Sequence, residues 1–494
     1  MIIKKTRTRQ ISITIVLVML LAFTQFSQPA RAEGDTFCVV SAGADHAMAI
    51  KTNGSLWGWG RNDYGQLGNG TTNRDLMYRP LPEKIMDDAV SVSVGGFHTM
   101  VIKTDGSLWA FGGNDYGQLG DGTTVDYHSP VKVMEGVVSV SAAHEYTMAV
   151  KTDGSLWAWG RNHYGQLGDG TTIDRYYTVK IMDDVVSVST TDERTMVVKK
   201  NGSLWAWGNN ESSQLGDGTL DNQYSPVKIM DNAVSVSVGG DFAMAILTDN
   251  SLWAWGANGC GELGIGSLTA QPTPVKIMNE VAAASAGGAH AMVIKTDGSL
   301  WVWGHNSCGQ LGNGAGGDFT DSSVPIKIME GVLNISASRG ASSMAINKDG
   351  ALYAWGENSY GILGNGKLEH SNVPVVVSAF DISVSIDGQR IAFDVPPQIV
   401  NNRALVPLRG VFEALGATVS WDQKTQTVTV VKDDITILLT IGSASPTVNG
   451  TTVTIDQPGI IVNGRTLVPV RFITESFGVS VDWDGSSKTV IIRS

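Results

Sequence analysis

Histidine is the residue type whose positions most directly suggest chemistry here, because its neutral ring binds metals and it titrates near neutral pH. Four of the eight histidines stand near the same point of a repeated pattern: His46, His98, His144 and His290. A ring of metal ligands is one interpretation of this spacing. Three further copies of the pattern carry other residue types near that point: Arg194, Phe242 and Ser342. Their presence favours the alternative, that each histidine bonds to a turn, and we predict no metal site.

Glycine-rich segments are the second candidate for chemistry. Gly120–Thr124 and Gly168–Thr172 could offer oxygen ligands to Ca²⁺, but Asn or Ile replaces the Asp in other copies. The Gly-Gln-Leu-Gly segments lack the Gly-Lys-Ser/Thr of a phosphate-binding loop. Neither a nucleophile–base pair nor a pair of carboxylates can be picked out. The sequence therefore predicts a protein that is not an enzyme and binds no cofactor.

These residues lie within a pattern that recurs at intervals of 48 or 52 residues, and a fixed period of this size indicates an array of similar structural units. The seven copies start at Gly54, Gly106, Gly154, Gly202, Asn250, Gly298 and Gly350. An Asp-Gly or Asn-Gly pair between two apolar runs predicts a β-hairpin with a type I′ turn. In the one variant, Asp249-Asn250, the Asn tolerates the left-handed region. With a strand before the hairpin and another after it, each copy supplies about four strands, as a propeller blade does.

Two residue types in the pattern are predicted to be structural. Most copies carry two tryptophans in the order Trp-x-Trp, and these large side chains would fill the space between blades. The tryptophans at the first of these two positions are Trp57, Trp109, Trp157, Trp205, Trp253 and Trp301. A glutamine in the Gly-Gln-Leu-Gly turn would bond to main-chain groups left free there. These glutamines are Gln66, Gln118, Gln166, Gln214 and Gln310.

The consensus Ser-x-Gly-x-x-His-x-Met-x-x-Lys-x-Asp-Gly-Ser-Leu-Trp-x-Trp-Gly-x-Asn-x-x-Gly-Gln-Leu-Gly resembles the repeat of the regulator of chromosome condensation family, over about residues 37–380. The resemblance implies a seven-bladed β-propeller, which we assign to residues 33–380. Thr36–Gly43 and Pro374–Ala379 supply a first and a last strand, so the ring can close without strand exchange. Departures from the consensus predict altered turns in blades four, five and seven, at Glu211–Ser213, Glu262 and Ile362.

A second, duplicated domain is predicted over residues 381–494, with an offset of 62 residues between its halves. Val400–Arg409 matches Val462–Arg471. Each half predicts hairpins and one short helix, Gly410–Leu415 and Phe472–Phe477, which together make a small α+β module. The module resembles the N-terminal domain of copper amine oxidases, common in exported proteins of Gram-positive bacteria.

The copper in that family name is not expected here. No His follows His370, no Tyr follows Tyr360 and no Cys follows Cys308, so the module lacks the usual copper ligands and a tyrosine for a quinone. Two recurring Arg–Glu pairs are predicted to lock each helix to a strand. They are Arg409 with Glu413 and Arg471 with Glu475.

Residues 1–32 have the features of a secretory signal peptide. A basic start precedes an apolar run from Ile11 to Phe26, which is short for a membrane span, and Ala30–Ala32 has the small-x-small pattern of a cleavage site. We predict cleavage after Ala32 and an extracellular protein. Removing five basic residues changes the net charge from -12 to -17, which disfavours nucleic acid as a partner. Three cysteines, Cys38, Cys260 and Cys308, leave at least one thiol unpaired. Cys260 and Cys308, at the same place in neighbouring copies, could form a disulfide, but we predict two buried or half-buried thiols.

Specificity is expected where the copies differ, because loops on a rigid scaffold carry binding. One turn of each blade varies, and its residues are the predicted binding rim: His46, Phe97, His98, His144, Glu145, Tyr146, Arg194, Asp241 and Phe242. Aromatic, acidic and arginine side chains suit a protein partner. A second varied set is Arg74–Arg79, Asp126–His128 and Asp174–Tyr177. The alternative is solvated loops with no partner.

Four functions are compatible with these features to different degrees. The first is a monomeric, exported, non-enzymatic protein of a Gram-positive envelope, with the propeller binding protein or wall material and the second module as spacer or adaptor. The second is a secreted inhibitor, since the resemblance includes a propeller-type inhibitor of β-lactamases, although that inhibitor lacks the second module. Nucleotide exchange on a GTPase, as in the nuclear family member, does not suit an exported chain. An enzyme acting on wall glycans lacks candidate residues.

Overall fold

The computed structural model describes residues 36–72, 78–377, 383–391, 393, 397–400, 403–462, 465–484 and 489–493. Two compact units divide between Ser378 and Ala379. The first is a ring of seven four-stranded antiparallel sheets within the described residues, and the second is a smaller unit that contains both described helices. Neither of these helices is long and apolar enough to cross a membrane.

Each sheet of the first unit is built from four strands consecutive in the chain, and we call the sheets blades 1 to 7. Blade 1 contains β1 (Phe37–Ala42), β2 (His46–Lys51), β3 (Leu56–Arg61) and β4 (Tyr78–Met86); blade 2 contains β5 (Ala89–Val94), β6 (His98–Lys103), β7 (Leu108–Gly112) and β8 (Tyr127–Met134). Blade 3 contains β9 (Val137–Ala142), β10 (Tyr146–Lys151), β11 (Leu156–Gly160) and β12 (Arg175–Met182); blade 4 contains β13 (Val185–Thr191), β14 (Arg194–Lys199), β15 (Leu204–Gly208) and β16 (Gln223–Met230). Blade 5 contains β17 (Ala233–Val238), β18 (Phe242–Leu247), β19 (Leu252–Gly256) and β20 (Gln271–Met278); blade 6 contains β21 (Val281–Ala286), β22 (His290–Lys295), β23 (Leu300–Gly304) and β24 (Ser322–Met329); blade 7 contains β25 (Val332–Ala337), β26 (Ser342–Asn347), β27 (Leu352–Gly356) and β28 (Ser371–Val376). The predicted β-propeller is confirmed.

The hairpin between the second and third strands has a different turn from the one predicted. In blade 2, Lys103 N–H donates to Ser107 O (3.0 Å), Gly106 N–H donates to Lys103 O (2.9 Å), and Gly106 has φ +77°. Asp105 keeps a negative φ and accepts bonds from the N–H and the hydroxyl of Ser107. A type I′ turn needs two positive φ values, so the type I′ prediction is wrong. Asn250 supplies the left-handed residue in blade 5, with φ +60°.

A circle of serines joins the innermost strands. In each blade one serine hydroxyl accepts a backbone N–H from the first strand of the next blade, as Ser93 Oγ does from Ala142 N (2.9 Å). The other bonds run from Val94 to Ser41, Thr190 to Ser141, Val238 to Ser189, Ala286 to Ser237, Ala337 to Ser285 and Ala42 to Ser336, at 2.9–3.1 Å. The last bond links blade 7 to blade 1, where β1 also packs on β25 and β26. The ring thus closes without strand exchange.

The second tryptophan of each pair is the main wedge between blades. Trp159 is fully buried and its indole N–H donates to Gln118 O of blade 2 (2.8 Å). Trp157 faces the same neighbouring blade, because side chains two residues apart share a face of a strand. It is only half-buried at the hairpin end, where its indole N–H donates to Ser155 Oγ (2.9 Å). Five equivalent wedges donate across five of the six other seams: Trp59, Trp207, Trp255, Trp303 and Trp355.

Glycine is required beside each wedge. Gly120 has φ +79°, and a Cβ there would lie 2.6 Å from Trp159 Nε1. The glutamine before it holds the same turn, since Gln118 Oε1 accepts the N–H of Tyr116 (2.9 Å). The equivalent side-chain bonds are made by Gln66, Gln166, Gln214, Glu262 and Gln310.

The turns expected to change in blades 4, 5 and 7 keep the repeat geometry. Ser213 replaces a glycine yet adopts φ +59°. Glu262 replaces the glutamine and still accepts the N–H of Cys260 (2.8 Å). Ile362 cannot make that side-chain bond, but its carbonyl accepts the Trp59 indole N–H (2.7 Å). The prediction of altered turns is therefore wrong, because main-chain contacts to the next blade hold these loops.

The second unit interleaves its two halves. Its elements are β29 (Ser383–Ile386), β30 (Gln389–Ile391), β31 (Gln398–Val400), β32 (Arg403–Pro407), α1 (Leu408–Ala414), β33 (Thr418–Asp422), β34 (Thr427–Lys432), β35 (Ile435–Thr440), β36 (Thr447–Val448), β37 (Thr451–Thr452), β38 (Ile460–Val462), β39 (Arg465–Pro469), α2 (Val470–Phe477), β40 (Ser480–Asp484) and β41 (Thr489–Arg493). β29 pairs with β41 in parallel and β32 pairs with β39, so each half completes a sheet of the other.

One apolar core underlies these sheets, with the Phe412 and Phe477 rings in edge contact at 5.1 Å. Both helices start two residues before their predicted bounds, so Arg409 lies on α1 itself. Its Nε is 3.9 Å from Glu413 Oε1, one helical turn on, and both side chains are exposed. The predicted lock between helix and strand is therefore wrong for this pair.

Candidate binding face

One edge of the propeller collects two kinds of connection from every blade. The turn between the first and second strands lies beside the loop that follows the third strand, because the second and third strands pair. In blade 1, His46 pairs with Gly60, and Arg61 N–H donates to Asp45 O (2.9 Å). We call this edge the binding face. It holds all of the turns in which the rim residues were predicted.

Five of the nine predicted rim residues are buried rather than presented on this face: His46, His98, Tyr146, Arg194 and Phe242. Each is the first residue of a second strand, where the side chain points into the seam with the next blade. Since none is more than 2% exposed, none can contact a partner at the rim. The prediction placed them one residue too close to the turn.

The buried histidines link neighbouring blades. His46 Nε2 lies 2.9 Å from Thr99 Oγ1, His98 Nε2 lies 2.9 Å from Thr147 Oγ1, and His290 Nε2 lies 3.0 Å from Ser343 Oγ. Burial lowers the pKa of His46 and of His98 to about 3, and that of His290 to about 4. The rings are therefore neutral hydrogen-bonding groups at neutral pH.

His144 is not equivalent to these three. In blade 3 the first residue of the second strand is Tyr146, two residues after His144. The Tyr146 hydroxyl lies 3.1 Å from Thr195 Oγ1 of blade 4. His144 stays on the binding face, partly exposed. The four histidines thus do not form one ring.

Two of the four remaining rim residues, Phe97 and His144, belong to an aromatic arc, which we define as Tyr360, Arg61, Tyr64, Phe97 and His144. The Arg61 guanidinium lies 5.1 Å from the centre of the Tyr360 ring and 5.4 Å from that of Phe97. The Phe97 ring lies 4.9 Å from Tyr64 and 5.0 Å from His144. The arc runs across blades 7, 1, 2 and 3.

Salt bridges hold the arginine of the arc in place. Arg61 contacts Asp45 Oδ2 at 2.9 Å and Asp63 Oδ2 at 2.7 Å. These two carboxylates outweigh burial and raise the pKa of Arg61. Because the guanidinium is fixed between two acids and three rings, little side-chain entropy is lost when a partner covers it.

A similar arrangement continues into blade 3. Arg161 bonds to Glu145 Oε2 at 2.6 Å and lies 5.3 Å from the centre of the Tyr116 ring. Burial raises the pKa of Glu145, but bonds from His144 and Arg161 outweigh burial and lower it. Glu145 is therefore ionised and positions Arg161 beside the arc.

Blades 4 to 6 give the binding face an acidic side. The acids there are Asp192, Glu193, Asp241, Glu262 and Asp321. Asp192 pairs with Arg339 across the central opening. Asp241 is exposed and lies 3.4 Å from the buried Arg194. Burial raises the pKa of Glu262, with further contributions from Asp241 and Asp321. The face thus has an aromatic, arginine-containing half and an acidic half.

The second varied set has a mainly structural role where it is described. Asp126 accepts the N–H of Asn114 (2.8 Å) and Asp174 accepts that of Asn162 (2.7 Å). Tyr177 is exposed on the outermost strand. Residues 74–77 lie outside the described residues.

A buried asparagine organises each loop of the binding face, and the sequence reasoning missed it. Asn114 Oδ1 accepts the N–H of Leu119 (3.0 Å), while its Nδ2 donates to Thr123 O and Val125 O. The signal was present, since Asn stands five residues before Leu in every copy.

No disulfide joins the three cysteines, all of which are described as free thiols. Burial, with the Glu262 and Asp321 carboxylates, raises the pKa of Cys260 to about 11. A thiol with this pKa is not a nucleophile at neutral pH. Cys260 does lie beside His305 and Asp321, a group with metal-ligating atoms.

Sequence families match both units. The RCC1-like domain matches residues 21–245, and the RCC1 repeat matches residues 249–294, 297–342 and 349–386. The chain belongs to the RCC1 repeat family. The copper amine oxidase N-terminal domain matches residues 385–492, but that part of the sequence offers no His, Cys or Tyr. Copper therefore does not fit its residues.

Curated relatives match this RCC1-repeat chain over short stretches. Protein RCC2 of Homo sapiens is 43% identical over 83 residues, which cover 17% of this chain and 16% of RCC2. The ultraviolet-B receptor UVR8 of Arabidopsis thaliana is 35% identical over 99 residues, which cover 20% of this chain and 22% of UVR8. The matched part spans about a fifth of these relatives' length.

Solved structures share the fold over most of the propeller. Human WBSCR16 superposes with a TM-score of 0.59 at 22% identity, covering 66% of this chain and 94% of WBSCR16. Yeast RCC1 (Prp20), solved with Kap60 bound, gives a TM-score of 0.59 at 18% identity, covering 73% and 92%. At these identities the likeness shows the fold alone. Members of this family are generally regulators or binding proteins rather than enzymes.

Proposed function

We propose that the protein is an exported, non-enzymatic binding protein of a Gram-positive cell envelope, that the aromatic arc binds a protein partner, and that the second unit acts as an adaptor. The observation that supports partner binding most is the arc itself. Arg and Tyr, both present in the arc, are among the residue types that contribute most binding energy at interfaces. The salt bridges of Arg61 to Asp45 and Asp63 fix its guanidinium before a partner binds. Yeast RCC1 is likewise a propeller described with protein partners.

Substitutions in the arc test this proposal. A partner is first captured from envelope extracts with the purified protein, identified by mass spectrometry, and then produced separately for titration. Phe97→Ala and Arg61→Ala should each weaken its binding about tenfold or more, as loss of a central interface residue does. Tyr177→Ala is the matched control, because it removes an exposed aromatic side chain outside the arc. Equal affinity for all three variants would refute the assignment of the face.

The same arc favours a second candidate, a secreted inhibitor of β-lactamases. It is a preformed aromatic surface beside the central opening, which His144 also lines. Titration of a panel of β-lactamases with the purified protein decides between the candidates. Inhibition of a β-lactamase by the wild type, with less inhibition by Phe97→Ala, would support the inhibitor function. Full enzyme activity across the panel would exclude it.

Export is supported by the basic start, apolar run and Ala30–Ala32 pattern of residues 1–32. Expression in a Gram-positive host should yield extracellular or envelope-bound protein with Glu33 as its first residue. Amino-terminal sequencing measures this directly. Recovery of the protein inside the cells with residues 1–32 intact would contradict it.

The adaptor role is supported by a groove of about 670 Å³ in the second unit. Trp421, Arg409 and Gln426 are among its lining residues, so it offers an aromatic ring beside charged and amide groups. Co-sedimentation of the full chain with purified cell walls should weaken in Trp421→Ala. Trp483→Ala is the matched control, since Trp483 is the equivalent residue of the other half and does not line the groove. Equal sedimentation of both variants and the wild type would exclude wall binding through the groove.

A further inference from the structure

Three side chains with metal-binding atoms meet at the seam between blades 5 and 6. Cys260 lies in the loop after β19, His305 directly follows β23, and Asp321 directly precedes β24. One ligand atom of each lies within 4.8 Å of the other two. A thiolate, an imidazole and a carboxylate are the donors that Zn²⁺ takes in proteins. Tetrahedral zinc would hold such atoms about 3.5 Å apart, so inward rotamer shifts of about 1 Å are sufficient.

Main-chain contacts hold all three residues near this geometry. Cys260 N–H donates to Glu262 Oε2 (2.8 Å), and His305 N–H donates to Ala289 O (2.9 Å). Asn306 N–H donates to Asp321 Oδ1 (2.8 Å), and a carboxylate oxygen of Asp321 lies within 4.8 Å of the Cys260 thiol. The cluster is therefore fixed from two blades rather than carried by one mobile loop.

This seam differs from the seam of blades 2 and 3 at two positions. At the seam of blades 2 and 3, the residues in the same three places are Tyr116, Arg161 and Asp174. The acid is thus common to both seams, whereas the phenol and guanidinium, which do not bind zinc, are exchanged for a thiol and an imidazole. The repeat scaffold explains the acid, because Asp174 and Asp321 cap the same loop position. It gives no structural reason for the thiol. His305 has one, because it accepts from the Gln310 amide (2.9 Å) as Asn209 accepts from Gln214 (2.8 Å) in blade 4.

We propose that Cys260, His305 and Asp321 form a zinc-binding site, with water as the fourth ligand. Binding forms one zinc–sulfur bond and releases the thiol proton of Cys260 to solvent, so one proton appears for each Zn²⁺ bound. A site of three protein ligands and one water is open to a further ligand. It lies on the acidic half of the binding face.

Gln310 controls how strongly His305 can bind. Its amide oxygen accepts the N–H of Cys308 (3.0 Å), so its nitrogen faces His305 Nδ1 (2.9 Å) and requires that atom to accept. Zinc at Nε2 instead requires a proton on Nδ1. The wild-type chain must therefore turn the Gln310 amide when it binds zinc, which weakens the site.

A glutamate at position 310 would remove this conflict. Glu262 shows that a carboxylate in the equivalent turn of blade 5 accepts the main-chain N–H equally well (2.8 Å). In Gln310→Glu the second oxygen can accept Nδ1–H and orient the ring. Carboxylates in this role change metal affinity about tenfold or more.

The experiment is titration of the purified, reduced protein with Co²⁺ and then Zn²⁺. A thiolate-to-cobalt charge-transfer band should appear and be bleached by one equivalent of Zn²⁺. Cys260→Ser should abolish the band, and His305→Ala and Asp321→Asn should each lower affinity at least about tenfold. Cys308→Ser is the matched control, because it removes the equivalent thiol one blade further on, and should leave the band unchanged.

Gln310→Glu should raise the affinity about tenfold, whereas Gln118→Glu adds the same charge in blade 2 and should not. Circular dichroism and melting curves show that each variant is folded. Absence of the band in the folded wild type would overturn the proposal. It would equally be overturned if Cys308→Ser abolished the band, if the His305 and Asp321 variants bound as tightly as the wild type, or if both glutamate variants gave the same affinity.

Discussion

Acidification should destabilise the propeller through the three histidines buried between its blades. Burial lowers the pKa values of His46, His98 and His290 from 6.5 to about 3, 3 and 4. In the unfolded chain they protonate near 6.5. Between these limits the unfolded state binds more protons than the folded state, so the free energy of unfolding falls as the pH falls. The stability is fully present above pH 6.5 and is lost progressively, down to about pH 4 for His290 and about pH 3 for His46 and His98.

The size of the effect follows from the shifts. One pKa unit corresponds to about 1.36 kcal/mol, so lowering the pH from 7 to 5 removes about 2 kcal/mol for each ring and about 6 kcal/mol for the three. This is a large part of the stability of an ordinary domain. Carboxylates titrate mainly at lower pH and contribute less in this window.

The chain contains its own matched replacement for such a ring. Phe242 occupies the position of His98 in blade 5, where it packs in one core with Ala291 instead of a threonine. The double substitution His98→Phe and Thr147→Ala copies that pair into the seam of blades 2 and 3. It should leave the folded state intact and remove one titrating ring.

Denaturant unfolding at pH 7, 6 and 5 measures the consequence. The wild type should lose about 2 kcal/mol more than the double variant between pH 7 and pH 5. If the double variant and the wild type lose equal stability over this range, the buried neutral rings do not govern acid sensitivity and the reasoning is refuted.

Three further predictions concern the seams. Gly120→Ala should lower stability by about 2–4 kcal/mol, because the new Cβ meets the Trp159 indole and the backbone has φ +79°. In the control Gly314→Ala the Cβ meets no atom within 4 Å, so this variant should lose only about 1 kcal/mol, from backbone strain. Thermal unfolding compares the two variants, and equal losses would contradict the steric argument. Trp159→Phe should cost about 0.5–1.5 kcal/mol by denaturant titration, since Gln118 O loses its indole donor but keeps the Thr147 hydroxyl (2.9 Å), and no loss would exclude a role for the indole bond. Ser336→Ala should lower stability by about 1–3 kcal/mol, because it leaves the Ala42 N–H without its acceptor; Ser371→Ala, on an outermost strand, is the control that should melt like the wild type.

The repeat made the fold predictable, because a hairpin signal copied seven times is much stronger than one alone. The direction in which a side chain points was less predictable, because it changes when the predicted start of a strand is wrong by one residue. His46 was placed on the rim since it adjoins a turn, yet as the first residue of β2 it points into a seam. In a strand a shift of one residue reverses the side to which a side chain points.

The binding face itself could be inferred only in part. Phe97 and His144 were expected at the rim, but Arg61, Tyr64 and Tyr360 come from inside the repeated motif and were treated as scaffold. The association of the five arc residues depends on four blades meeting, which no local pattern encodes. The seam of Cys260, His305 and Asp321 was missed for the same reason, since its members are separated by 45 and 16 residues.

Each blade is a single continuous segment of chain, so the seam that joins the last blade to the first encloses a much longer loop than the other seams do. Across the seam of blades 2 and 3, the bond from Trp159 to Gln118 joins residues 41 apart, whereas the bond from Trp59 to Ile362 joins residues 303 apart. The loop-closure cost grows with the logarithm of this separation, and the longer loop costs about 2 kcal/mol more. With the same kind of indole bond holding both, the junction of blades 7 and 1 is the last to form as the chain folds and the first to open when stability is lowered.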